Sequence, residues 1–335
     1  MKTLYKCIAV ALLVLGSTAC SQKQKPKHII VAYVTSGSTG MPDVNTLTHI
    51  NYAFGHVNET FDGVTIDNPS RLKEITALKK QYPDLKVQLS VGGWGSGRFC
   101  EMAADPAKRA AFAKHCAQVS DTFCLDGIDI DWEYPSCDWA GISASPQDID
   151  NFTLLMKDLR EALGKDQLLT LATVASGKYI DFKAIDPYID FANIMTYDMS
   201  RPPLHHAPLY PSAISNNSCQ QALEAHLAAG IPAHKLVLGM PFYGRGNDTV
   251  GNFIDYKDII KLQGYQEAWS NESQAPYLAD TAGVMVCSFD NPRSIQLKCD
   301  FIKTNNLKGA MYWQYDGDDA QGSLRNTIAR ELLEQ

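Results

Sequence analysis

The stretch Asp126-Gly-Ile-Asp-Ile-Asp-Trp-Glu-Tyr-Pro135 constrains this chain more than any other. As a β-strand it alternates with period two. Asp129, Asp131 and Glu133 fall on one face, and Ile128, Ile130 and Trp132 on the other. The apolar face demands a covering layer of helices. Three carboxylates in a row cannot all be buried and charged, so neighbours share protons and at least one is held neutral near pH 7. A neutral carboxylic acid at a strand end is a ready general acid. An exposed acidic edge would carry Lys or mixed charge and would rarely back onto Ile, Ile and Trp. A Ca²⁺ site would want loop oxygens with Gly between them. Asp126 lies off the alternation, where a structural hydrogen-bonding role fits better than chemistry.

Around this strand, apolar runs alternate with helical spacing along the chain. Strands are expected at 28–35, 48–55, 85–94, 126–135, 168–174, 191–198, 235–243 and 309–315. Helices are expected at 69–82, 106–122, 146–163, 178–188, 217–229, 292–306 and 324–333, with Asp105 capping the second and Ser145 to Asp148 the third. The pattern is α/β, a single (β/α)8 TIM barrel over 28–335, which typically needs about 250 residues. Chemistry in such barrels sits at the C-terminal strand ends, where Glu133 and Tyr134 fall. Only about residues 246–282 separate strands seven and eight, with one short helical piece at 255–262. That is too little for an independently cored insertion domain.

Other strand ends carry their own constellations. The third ends in Ser90-Val-Gly-Gly-Trp94, whose glycines Gly92 and Gly93 allow close backbone approach. The sixth ends in Asn193-Ile-Met-Thr-Tyr-Asp198, with Met195 and Tyr197 on one face, the seventh in Met240-Pro-Phe-Tyr-Gly-Arg245, and the eighth in Met311-Tyr-Trp-Gln-Tyr315. The acidic stretch resembles the signature Asp-x-x-Asp-x-Asp-x-Glu of family 18 glycoside hydrolases, the chitinases and their relatives. Ser90 to Trp94 resembles the family's second motif, Ser-x-Gly-Gly. The resemblance covers nearly the whole chain from His28 onward.

The resemblance implies a hydrolase that cleaves β-1,4 linkages between N-acetylglucosamine units with retention, the substrate's own 2-acetamido carbonyl acting as nucleophile. Glu133 would be the acid and base. Asp131 would orient the acetamido N–H, Asp129 would share a proton with Asp131, and Tyr197 would fix the acetyl oxygen. Tyr33, Phe54, Trp94, Tyr134, Met195, Asp198, Tyr243, Arg245 and Trp313 would line the cleft. Ser90 would support the acidic strand, with Gly92, Gly93 and Asp126 as structural support. Non-proline cis bonds are implied at Ala53–Phe54, Glu133–Tyr134 and Trp313–Gln314. An endo-β-N-acetylglucosaminidase acting on N-glycans needs the same chemistry. A non-catalytic glycan-binding lipoprotein ranks last, because relatives of that kind lack the acid present here as Glu133. A shallow groove without a walling domain would favour endo-type cutting.

The net charge of −7 gives no footprint for nucleic acid or anionic lipid and suits a neutral polysaccharide. Lys2 and Lys6, the apolar run 8–15 and the small residues 16–19 read as a signal peptide over 1–19. The run is too short to span a bilayer. Cys20 follows it as in a bacterial lipoprotein signal, and polar residues 20–27 read as a tether. The expectation is a monomer anchored to the cell envelope through lipid on Cys20; simple cleavage after Ala19 would instead release a secreted protein. The histidines do not converge, so no metal or cofactor is assigned, and His205 and His206 are placed in a solvated Pro-rich loop. Cys100, Cys116, Cys124, Cys137, Cys219, Cys287 and Cys299 remain, an odd number in a chain whose export permits disulfides. Cys116 and Cys124 read as small core residues.

Overall fold

The computed structural model describes residues 27–334 apart from 214; the signal segment, Cys20 and most of the tether lie outside the described residues. Eight parallel strands close into a barrel: Ile29–Thr35, His49–Val57, Lys86–Gly92, Gly127–Asp131, Leu168–Val174, Phe191–Met195, Leu236–Pro241 and Gly309–Trp313. The ring closes where Ile29 pairs with Gly309 and Val31 with His49. The strands are buried almost throughout, because the barrel interior covers one face and helices the other. A short strand, Val64–Ile66, adds antiparallel to the second barrel strand.

The fourth strand shows why the sequence folds this way. Ile128 and Ile130 are fully buried against the helical layer. The alternation continues past the last paired residue, so Trp132 also points outward, its ring stacked on Phe99 at 5.3 Å and tilted against Phe152 at 6.1 Å. Those rings belong to helices Phe99–Ala104 and Asp148–Leu163. Burying each such side chain contributes about 1.5–3 kcal/mol. With its outward face locked, the strand must send Asp129, Asp131 and Glu133 inward.

Local differences from the sequence expectations have physical causes. The fourth strand ends at Asp131, leaving Glu133 and Tyr134 in the loop just beyond it. The helix expected from 146 begins at Asp148, and Ser145 does not cap it. Asp148 is instead buried, accepting hydrogen bonds from the backbone N–H of Ser136 (3.1 Å) and Ser145 (2.8 Å). The segment between strands seven and eight is more ordered than expected. It forms a five-stranded antiparallel sheet (Tyr243–Gly246, Ile254–Asp255, Gln266–Ser270, Ala275–Ala279 and Met285–Ser288) with helix Tyr256–Ile259 between the second and third strands. Cys116 is buried, but Cys124 is exposed, because it takes a left-handed φ of 54° where it caps helix Pro106–Phe123. None of the seven cysteines among the described residues forms a disulfide. Among the described residues no helix is long and apolar enough to cross a membrane.

Candidate active site

A cleft of about 890 Å³ opens at the C-terminal end of the barrel. Glu133, Asp131, Tyr197, Tyr33, Phe54, Trp94, Tyr134, Met195, Asp198, Tyr243, Arg245 and Trp313, all singled out in the sequence, line it together. Asp129 lies beneath the cleft, fully buried. Among the described residues no His, Cys, Asp and Glu cluster could hold a metal ion.

The acidic row is graded by its donors. Asp129 receives four: Tyr33 hydroxyl at 2.7 Å, Ser90 at 2.9 Å, Thr170 at 2.6 Å and Asn193 at 3.3 Å. Thr170 itself accepts from the Gln88 amide at 2.9 Å, so its hydroxyl proton is free to point at Asp129. Burial raises the pKa of Asp129 above the usual carboxylate value, and these donors restrain the rise without reversing it. Asp131 has no such shell: its Oδ1 is buried without a hydrogen-bond partner. Burial, then the charges of Glu133 and Asp129, push its pKa well above the usual carboxylate range. Burial likewise pushes Glu133 up to about 7, with hydrogen bonding to Tyr134 opposing and the charge of Asp198 adding to the rise. Burial thus raises all three acids, and hydrogen-bond donors restrain the rise most at the base of the row. Asp126 lies outside this row, accepting from the Val87 N–H at 2.8 Å and pairing with Lys79 at 2.7 Å.

Close backbone contact brings the third and fourth strands together at the site. Gly92 has φ 130°, and a Cβ there would lie 2.0 Å from the Asp131 carbonyl oxygen; at Gly93, φ 92°, it would strike the Phe54 ring at 2.8 Å. Only glycine leaves room for both the acid row and the ring beside it.

Three aromatic groups surround Glu133. Trp313 is stacked with Phe54 at 5.5 Å and tilted to Tyr33 at 5.7 Å. Tyr134 stacks on Tyr179 at 5.8 Å, which meets Trp139 edge-on at 6.0 Å. Tyr197 meets Tyr243 at 6.0 Å, and Tyr243 stacks on Phe253 at 4.3 Å. The peptide bonds Ala53–Phe54, Glu133–Tyr134 and Trp313–Gln314 are cis, as the resemblance implies, and Pro202–Pro203 is cis as well.

The third group is tied to an ionic clamp. Asp198 accepts from Arg245 Nε and Nη2, both at 2.6 Å. Burial works to raise Asp198, but hydrogen bonding by His206 and Arg245 outweighs it and holds the carboxyl below its usual range. His205 and His206 are buried, which corrects the solvated-loop expectation. The small antiparallel sheet covers them: Ser288 accepts from the His206 N–H at 3.0 Å, and Tyr277 packs on His205 at 5.7 Å. Burial lowers the pKa of both rings, that of His205 to about 4, so both are neutral at pH 7.

Sequence reasoning missed Trp139, Phe253 and Asn252, which also line the cleft, and Tyr179, which backs Trp139. The first two are isolated aromatics in non-repeating segments, where no periodicity marks them. The sheet whose first connection carries Phe253 was itself not foreseen.

The family profile "Glycosyl hydrolases family 18" matches residues 29–318. The chain is 35% identical over 326 residues to "Chitinase A1" of Niallia circulans, covering 82% of this chain and 46% of that protein. It is 30% identical over 384 residues to "Probable chitinase 2" of Drosophila melanogaster, covering 94% and 78%. The solved structure of a glycoside hydrolase family 18 N-acetylglucosaminidase from Paenibacillus barengoltzii superposes with a TM-score of 0.82 at 33% identity, covering 91% of this chain and all of that one. The chain thus spans about half the length of the Niallia relative.

Proposed function

The chain belongs to family 18 of the glycosyl hydrolases, and from that premise we propose that it cleaves β-1,4 linkages between N-acetylglucosamine units of chitin or its oligomers, with retention. The observation that carries the proposal is the graded acid row: a carboxyl near pKa 7 at the cleft, above a buried Asp131 with an unpartnered oxygen, above a donor-saturated Asp129.

In this reading the Trp313–Phe54–Tyr33 group floors the sugar whose bond is cut. The 2-acetamido carbonyl attacks the anomeric carbon while Glu133 protonates the leaving oxygen. Asp131 gives its proton to Asp129 and, as a carboxylate, accepts the acetamido N–H and balances the positive charge of the oxazolinium ion. Asp129 shares that proton with Asp131, and Tyr197 holds the acetyl oxygen. Glu133 then deprotonates the water that opens the ring.

The test replaces Glu133 with Gln. Turnover of N-acetylglucosamine oligomers should fall by about 10²–10⁴-fold or more, with oligomer affinity retained. Loss of affinity together with turnover would assign Glu133 a structural role instead. The likeness to the Paenibacillus N-acetylglucosaminidase favours a second reading as an N-acetylglucosaminidase, and an endo-β-N-acetylglucosaminidase acting on N-glycans would use the same acetamido chemistry. Products from defined oligomers and from a high-mannose glycopeptide separate the readings. We further propose a monomeric, envelope-anchored protein lipidated at Cys20. Cys20→Ala should release it from membranes, and retention of that variant would contradict the anchor.

A further inference from the structure

The two most exposed tryptophans of the described residues both line the cleft. Trp139 is 66% exposed and Trp94 63%. They come from neighbouring loops that touch: a Cβ on Gly95 would lie 3.8 Å from the Ala140 carbonyl, and one on Gly97 3.8 Å from Ile142. Both indoles line the same cavity as Glu133.

The loop that carries Trp139 is pinned although its ring is bare. Asp148 gathers the Ser136 and Ser145 N–H groups at the loop's two ends, and Ser136 Oγ donates to the Ser145 carbonyl at 2.7 Å. Ile142 is buried beneath it. The Trp139 ring stands at 84° to Tyr179, which stacks in turn on Tyr134, the residue next to Glu133. An apolar ring held in water by a pinned loop has already met the ordering cost of binding. Its open face suits the C–H face of a pyranose, a flat apolar surface edged with hydroxyls.

We propose that Trp139, backed by Tyr179, is a specificity-determining platform for a sugar ring of the bound chain beyond the two that flank the cut bond. The ligand class is the pyranose of an N-acetylglucosamine oligomer or polymer, so this inference rests on the function proposed above. The loop follows the end of strand four, just past Glu133, whereas strands eight, one and two carry the Trp313 floor. On this proposal a short substrate seated on that floor stops before Trp139 and a long one reaches it.

The test compares wild type with Trp139→Ala and Trp139→Phe on an N-acetylglucosamine hexamer and on a short aryl glycoside of the disaccharide. Trp139→Ala should raise KM for the hexamer five- to tenfold with kcat within twofold. Its kinetics on the aryl glycoside should match wild type, and Trp139→Phe should recover most of the hexamer KM. Hexamer titration should perturb the tryptophan fluorescence of wild type more than that of Trp139→Ala. Equal losses on both substrates, or no loss on either, would overturn the platform while leaving the proposed reaction standing. A wild-type protein that neither binds nor cleaves the hexamer would overturn the reaction, and the platform with it.

Discussion

Beneath the acid row and at the rim of the cleft, the same protein solves opposite problems. Beneath, Asp129 is fully buried and four side chains donate to it, so nothing there can move without stranding a donor. At the rim, Trp94, Trp139 and Phe253 are 63%, 66% and 45% exposed; Trp139 rests edge-on against Tyr179, and Phe253 stacks on Tyr243. The interior fixes protonation states; the rim offers surface. Substitutions in the first region should therefore change stability and turnover, and those in the second should change affinity alone.

The largest effect that sharpens this contrast is expected at Asp129. Asp129→Ala leaves buried donors unpaired and should cost about 3–5 kcal/mol of stability, read by denaturant unfolding. A cost near that of a surface substitution would mean the network is not a structural unit.

Glu133 comes next. Its pKa is raised in the fold from 4.5 to about 7, so between those values the folded state binds more protons than the unfolded one. Stability from this group is present below pH 4.5 and lost as pH rises through 7. Glu133→Gln should then be more stable than wild type at pH 8, by on the order of 1–3 kcal/mol, with the two converging near pH 4. A constant difference across that range would contradict the raised pKa.

Smaller still is the effect of the clamp. Asp198 adds to the rise at Glu133, and Arg245 faces it. Asp198→Asn should move the alkaline limb of kcat/KM downward by about half a pH unit to one. An upward move would reverse the assigned electrostatics. The smallest expectation is no effect: with no disulfide among the described residues, a reductant should leave the melting temperature unchanged, whereas a fall would reveal cross-linking between cysteines.

The same two regions divide what was legible in the sequence. The eight barrel strands are continuous apolar runs, and the acidic strand alternates cleanly, so burial on both faces and the inward row follow from the residue order. The rim does not announce itself. Trp139 sits in a loop whose shape depends on Asp148, a residue that reads as part of a helix cap and is instead a buried acceptor for two backbone N–H groups. The small antiparallel sheet has strands of two to five residues, too short for periodicity to stand out. His205 and His206 read as solvated because their neighbours are prolines; their burial comes from Ser288 and Tyr277, distant in sequence.

The central claim is that the sugar supplies the nucleophile which this row of carboxylates lacks. Hydrolysis of an N-acetylglucosamine oligomer should be compared with that of a glucosamine oligomer of equal length, the two differing only in the acetyl group. The account predicts turnover of the acetylated chain and loss of at least about 10²-fold on the other, the scale of one missing catalytic group. Equal rates on both would contradict it.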